Sequence, residues 1–422
     1  MAGRAANDRP RRFDDSPPSS SEIPMSGFDL LWLLLPVAAC IGWWTGRNAA
    51  NDGNKKQEAD RRFRRFRSDY SRGINYLINE QPERAIDIFI EYLEVDAETV
   101  ETHLALGNLY RRRGDHERAI HIHENIISRT SLSAGQRTEA KMELAHDYSS
   151  AGLFDRAEAI FKELTEVHGY RVQALKQLVD IYEHERDWGQ AIVSAQQLEL
   201  ATGDPLGTII AHYYCERAVR YQEERRFEKA LEELRRARET HDSCVRASLI
   251  EAEIHTTLGD HRSAIRALQR VESQDPEFIP ETIGPLHRSF AALGQADALQ
   301  EYLSRLHERY GWSSVLLALA AIRQESDGPR EAIRFIGDRL KRKISVRGLD
   351  RMLELEIDEC RRSGDEPGSR VEMLKGLTEG LLLDRPVYRC ERCGFPAKSL
   401  HWQCPSCKRW TTIKPIRGVE GE

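Results

Sequence analysis

No glycine-rich phosphate loop, no HExxH and no GxSxG occurs in the 422 residues, so the familiar signatures of phosphoryl transfer, zinc proteolysis and serine hydrolysis are missing. A strong charge of one sign is missing as well. The formal net charge is -6 and the sequence pI is near 6.2, which leaves no basic face for a general nucleic-acid binder. Eight cysteines are too few to staple a chain of this length, and four of them crowd into its last part. Aromatic residues make up only 8%, and mean hydropathy is -0.58. What is present, 40% apolar and 31% charged residues, suits many amphipathic helices around a continuous core better than a β-rich domain. The length points to two or three units. Every acid–base residue in sight lies on an amphipathic helical pattern, so the chain reads as a scaffold and not as an enzyme.

One long apolar run does occur. Residues 1–27 carry Pro10, Pro17, Pro18 and a serine run with no apolar period, and read as a disordered arm, with Met25 as an alternative start. The stretch LLWLLLPVAACIGWW, Leu30 to Trp44, has no charge, and with its flanks gives a span at 28–46. Trp32 at one end and Trp43 and Trp44 at the other fit interfacial belts. Val37–Cys40 also resembles a lipoprotein cleavage box, but the apolar run continues past it and the charges lie on the wrong side. Arg47, Lys55, Lys56, Arg61, Arg62, Arg64, Arg65 and Arg67 follow the span in a basic linker, 47–68, while Asp29 precedes it. That asymmetry orients the bulk of the chain toward the cytoplasm, as a single-pass membrane protein. A reducing compartment also suits clustered CxxC pairs.

The body, 69–385, repeats. Ala85, Ala119, Ala157, Ala191, Ala230 and Ala264 open similar turns (ERAI, ERAI, DRAEAI, GQAI, EKAL, RSAI) at separations of 34, 38, 34, 39 and 34, and Ala298 and Ala332 continue at 34 and 34. Nine residues before the first six stand Tyr76, Tyr110, Tyr148, Tyr182, Tyr221 and His255. Gly114, Gly152 and Gly259 mark the turn between two helices. The longer separations predict insertions in the loops around Ser131–Gln136 and Gly203–Gly207. With Leu106, Gly107, Tyr110 and Ala119 in one repeat, and Gly73, Tyr76, Ala85 and Phe89 in another, the pattern resembles the tetratricopeptide signature. The fold class is therefore all-α, a stacked superhelix whose repeats bury each other's apolar faces. By that family pattern, partner-facing positions are Asn108, Arg111, His146, Asp180 and Glu183.

The last segment, 386–422, carries the strongest chemical signal. Cys390-Glu-Arg-Cys393-Gly394 is followed, after ten residues, by Cys404-Pro-Ser-Cys407. Two CxxC turns present four thiolates to one ion, zinc or iron, with zinc favoured, and leave no open position for catalysis. Phe395, Trp402 and Trp410 are available as a small apolar shell. His401 reads as a rim residue, Lys408 departs from an expected glycine, and Cys215, Cys244 and Cys360 read as packing residues.

The order of parts, Leu30–Arg47, then repeats to about Leu340, then Cys390–Cys407, resembles the bacterial lipopolysaccharide assembly protein B family. The resemblance implies an inner-membrane adaptor of Gram-negative bacteria that regulates lipopolysaccharide synthesis. It implies presentation of the committed-step lipid A deacetylase to a membrane AAA protease, under restraint by a lipopolysaccharide-sensing membrane protein. A homodimer stays open. The knuckles also resemble those of rubredoxins, which keeps an electron carrier as one alternative and a general envelope-assembly scaffold without a proteolytic role as another.

Overall fold

The computed structural model describes residues 99–422 except 131, 365–367, 384 and 420, together with 36, 38–44, 46, 47, 75 and 76. The arm at 1–27, most of the span at 28–46, nearly all of the linker at 47–68, and Gly73, Ala85 and Phe89 lie outside the described residues. Among the described residues, no helix is long and apolar enough to cross a membrane. The chain divides into two units between Leu106 and Gly107. In the first, residues 38–44 are helical and Ile41, Trp43 and Trp44 are exposed. The second holds the helical repeats and the four-cysteine tail.

Its helices are α1 (Val100–Arg112, begun in the first unit), α2 (His116–Ser128), α3 (Ala134–Ser150), α4 (Phe154–Leu164), α5 (Arg171–Glu185), α6 (Trp188–Thr202), α7 (Gly207–Glu223) and α8 (Phe227–Thr240). They continue as α9 (Val245–Thr257), α10 (His261–Gln274), a 3-10 turn (Pro276–Phe278), α11 (Ile279–Ala292), α12 (Ala296–Tyr310), α13 (Ser313–Asp327), α14 (Pro329–Leu340), α15 (Val346–Ser363) and α16 (Ser369–Leu382). Successive helices pack as helix–turn–helix pairs, and each pair covers the apolar face of the next. The chain is thus mostly helical, in tetratricopeptide-like repeats.

One local device builds every early turn. The residues at the shared register position, Tyr110, Tyr148, Tyr182, Tyr221 and His255, each offer a carbonyl to the backbone N–H five residues on, at 2.8 to 3.1 Å. That bond requires the residue between them to be left-handed. Gly114, Gly152 and Gly259 fill the position at φ 83, 75 and 78, but Arg186 and Arg225 fill it in the two other repeats, both at φ 58. A side chain there costs about 1–2 kcal/mol. After the turn, Asp115, Asp187 and Asp260 cap the second helix by accepting from the N–H three residues on. The alanines that come next, Ala119, Ala157, Ala191, Ala230 and Ala264, are wholly buried.

Two expectations need correction. Ala298 is exposed. Gln295 donates to the Phe290 carbonyl at 3.0 Å, Gly294 is the left-handed residue at φ 65, and Leu299 is the buried one at 3% exposure. The turn sets the register, so an even spacing of alanines misplaces this repeat by one residue. The separations of 38 and 39 also do not lengthen the loops. They lengthen helices: α3 and α7 have 17 residues each against 15 in α5 and 13 in α9, and α2 and α6 have 13 and 15 against 11 in α4. Ser133 caps α3 through a capping box with Gln136, so residues 134–136 are already helix. An added turn of about 3.6 residues keeps the same face inward and bonds its own backbone, which a longer loop cannot do.

Gly107 answers a different need. Arg111 donates to Asp147 Oδ1 at 2.8 Å and to Glu143 Oε2 at 2.6 Å, and the other Asp147 oxygen meets His123 Nδ1. His123 and Asp147 are fully buried. A Cβ on Gly107 would lie 2.4 Å from His123 Nε2, so the imidazole reaches its carboxylate only because position 107 has no side chain. Gly107→Ala should therefore lower the array's stability by about 1–3 kcal/mol in denaturant melts. The helical, uncrowded Gly135→Ala should be neutral or stabilising by up to about 1 kcal/mol. Equal effects at both sites would refute this account.

After α16 the chain forms a three-stranded antiparallel sheet, β1 (Tyr388–Cys390), β2 (Pro396–Ala397) and β3 (Ile413–Pro415), in the order β2-β1-β3. Cys390 stands opposite Ile413.

Candidate metal centre and the seat of the knuckle

The two CxxC turns are built alike. Cys390 N–H donates to the Phe395 carbonyl and Gly394 N–H to the Cys390 carbonyl, each at 2.9 Å; Cys404 with Arg409, and Lys408 with Cys404, repeat the pattern at 2.9 Å. Gly394 and Lys408 occupy the matching left-handed position, at φ 78 and 56. Lys408 thus keeps the turn that a glycine would make, at a backbone cost of about 1 kcal/mol.

These turns bring the four sulfurs within 4.8 Å of one another. Cys390 and Cys407 are 3.8 Å apart, and Cys393 and Cys404 are 3.7 Å apart. Sulfurs placed tetrahedrally at about 2.3 Å from an ion would stand about 3.8 Å apart, so the cluster is able to bind one metal ion. Electrostatics agree. Burial opposes ionisation of Cys390, but the Thr412 hydroxyl and the amides of Cys393 and Arg392 outweigh it and bring the thiol down to about 6. Burial instead pushes Cys404 up to about 11. Four thiols this close do not all ionise without a cation among them. His401 is exposed and stands apart, 3.4 Å from the Ser399 hydroxyl.

The knuckle is seated on the first-helix face of the array. Phe395, with Tyr388 and Leu400, packs on the cysteine cluster. Trp402 and Trp410, expected to complete that shell, point the other way and insert into the repeats. Trp410 stacks on His212 of α7, with ring centroids 4.8 Å apart and planes at 19°, and meets Tyr213 edge-on at 6.1 Å. Its indole N–H donates to Glu183 Oε1 of α5 at 3.0 Å. Trp402 stacks on Phe278 at 5.3 Å. Thr411, a β-branched residue at φ 58, sets its hydroxyl 2.5 Å from His212 Nε2. Lys414 pairs with Asp275 and, at 3.1 Å, with Glu277, which also takes Arg417. Tyr388 donates to Glu281 of α11. Farther along, Val346 N–H donates to the Val419 carbonyl at 2.8 Å, and Ser314 N–H to Glu422 Oε2 at 2.9 Å.

The five positions read as partner-facing are thereby sorted. Glu183 accepts from Trp410, from Gln403 at 3.4 Å and from Tyr213, so the chain's own knuckle occupies it. Asp180, beside it, is raised by desolvation and by the Glu183 charge, against the pull of Arg409. Arg111 serves the buried network described above. His146 is half-buried, 3.3 Å from Gln173 Nε2, and burial lowers it. Asn108 is half-buried with its Oδ1 unbonded. Nothing gathers the five into one site. Sequence reading misses His212, Tyr213, Arg246 and Phe278, whose partners lie more than a hundred residues away; the only signal is a pair of tryptophans too large for so small a domain.

Comparison with known proteins follows the same division. The family described as "Rubredoxin metal binding domain" matches residues 388–415, and families described as "Tetratricopeptide repeat" match 102–137 and 215–277. Over 393 residues, 93% of this chain and 99% of the relative, the sequence is 37% identical to lipopolysaccharide assembly protein B of Escherichia coli (strain K12). The chain belongs to the lipopolysaccharide assembly protein B family. The Haemophilus influenzae (strain Rd) protein of that name is 32% identical over 401 residues, again 93% of this chain and 99% of the relative.

His212 gives the seat a pH dependence. It is buried at 3% exposure, and burial first, then the charges of Arg246 and His241, lower it to about 3. The unfolded chain protonates this histidine below about 6.5 and the folded one does not until about 3. Stability present above pH 6.5 is therefore lost as pH falls, by about 2 kcal/mol at pH 5. Melts of His212→Gln should lack this component between pH 7 and 5. A parallel pH slope in the variant and the parent would count against a neutral, seated His212.

Proposed function

We propose that this member of the lipopolysaccharide assembly protein B family is a non-enzymatic adaptor at the cytoplasmic face of the inner membrane. In this reading it regulates lipopolysaccharide synthesis by presenting the lipid A deacetylase to a membrane AAA protease. The observation that carries the reading is the seating of the knuckle across α5, α7, α9 and α11, which turns repeats and tail into one surface for proteins. The relatives' name supplies the lipopolysaccharide context. The apolar run at 28–46 supplies the anchor, and tethering beside a membrane protease can raise apparent affinity about 10²–10⁴-fold. A lipopolysaccharide-sensing membrane protein is the third partner. Asn108, Arg111, His146 and Asp180 remain the partner-facing positions to test, with Glu183 acting through the knuckle.

Removing residues 28–46 should raise the cellular level of the deacetylase several-fold in immunoblots. An unchanged level, with synthesis and transport enzymes but no protease in affinity purifications, would favour the general scaffold.

Cys390, Cys393, Cys404 and Cys407 hold one structural ion in this proposal, zinc before iron. When bound, that ion cross-links the two turns. Elemental analysis should find about one zinc per chain, and Cys404→Ser should lose the ion together with adaptor activity. A stoichiometric iron content with a reversible visible redox spectrum would instead point to the electron carrier.

A further inference from the structure

Two cysteines outside the knuckle meet beneath its seat. Cys215 lies inside α7, and Cys244 is the N-cap of α9. Their sulfurs are 3.8 Å apart, and the residues are 0% and 4% exposed. A disulfide bond is about 2.05 Å long, so the sulfurs need to approach by about 1.8 Å. Cys244 can supply that movement, because it ends the short connection from α8 and is not locked within a helix.

Their environments differ in the way an attacking and a resolving thiol differ. The Cys215 thiol hydrogen-bonds to Cys244, and that bond, with the charges of Arg246 and Arg238, holds Cys244 below its ordinary value despite burial. Burial pushes Cys215 well up. Cys244 is thus the more acidic thiol of the two.

The neighbours of both residues touch the knuckle. Val245 packs with Phe278, Leu400 and Trp402. Arg246 lies over the Trp410 ring at 5.9 Å and pairs with Glu216 at 2.8 Å. His212, one turn before Cys215, holds Trp410 and Thr411.

We propose that Cys215 and Cys244 are a redox-sensitive pair that closes to a disulfide when a two-electron oxidant such as hydrogen peroxide reaches it, cross-linking α7 to the start of α9 under the knuckle's seat. Cys244 gives up its proton and its sulfur attacks one peroxide oxygen; the S–O bond forms, the O–O bond breaks, and the departing hydroxide takes that proton to become water. The sulfur of Cys215 then gives up its proton and attacks the Cys244 sulfenic acid, forming the S–S bond as the hydroxyl leaves as a second water. The two thiols lose two electrons and the peroxide gains them. A dithiol reductant reverses the reaction, and a reducing cytoplasm keeps the pair open at rest.

The test uses the full-length, metal-loaded chain treated with hydrogen peroxide, alkylated under denaturing conditions and digested for mass spectrometry. The expected product is a peptide joining Cys215 to Cys244, with metal content unchanged and the cross-link lost on adding dithiothreitol. In Cys215→Ser, dimedone should label Cys244; in Cys244→Ser, Cys215 should stay unlabelled. Recovery of both cysteines as alkylated thiols, at a peroxide dose that already oxidises Cys360, would overturn the proposal. Dimedone labelling of Cys215 in place of Cys244 would overturn the assignment of the attacking sulfur.

Discussion

Trp410 lies against His212 and Tyr213 and donates its only polar hydrogen to Glu183, and most of what is particular to this chain depends on that contact. A large aromatic is apolar over its rings and has one donor, so burying it is favourable only where a shaped slot and an acceptor coincide. The repeats supply both: α7 gives the stacking surface, α5 the carboxylate. Around it, Trp402 on Phe278 extends the apolar contact, while Lys414 and Arg417 meet Asp275 and Glu277 at the rim. Charge at the edge and aromatic burial at the centre is the usual arrangement of a lasting interface.

The seat also explains the strained residues. Thr411 adopts a conformation that suits glycine, and a β-branched side chain holds it only when its surroundings insist. Here the hydroxyl reaches His212 and the N–H reaches the Trp402 carbonyl at 2.8 Å, so the strain is offset by contacts on both sides. Arg186 and Arg225, by contrast, hold left-handed turns with no such interface; the tyrosine-carbonyl bond that ends each first helix is what demands the conformation.

Legibility in the sequence follows the range of the interaction. Helix–turn–helix pairs are readable because their determinants lie within nine residues: an aromatic, a left-handed turn, a buried alanine. Where the turn slides by a residue, as at Gly294, the alanine spacing points to Ala298 although Leu299 is the one inside. The extra residues of α3 and α7 read as loop because a sequence gap does not say whether added residues continue a helix. The four-cysteine cluster is readable from its spacing alone. The seat is not, since Trp410 and Glu183 are far apart in the chain and neither is unusual by itself. Nor can a family-derived face reveal that Glu183 is taken by the chain's own tail.

That last point bears on how the tail and the array depend on each other. A small three-stranded sheet has little core of its own, yet its two largest side chains, Trp402 and Trp410, lie on the array and not on itself. An ion held by the four cysteines would therefore carry much of the knuckle's fold, while its position leans on the repeats. The repeats gain in return, because the knuckle spans helices of several successive pairs and couples units that otherwise touch only their neighbours. Loss of such an ion would remove a tie between α5 and α11 as well as unravelling the tail. A metal bound there would thus act on the protein surface at a distance, through the two tryptophans that the knuckle presents to the array.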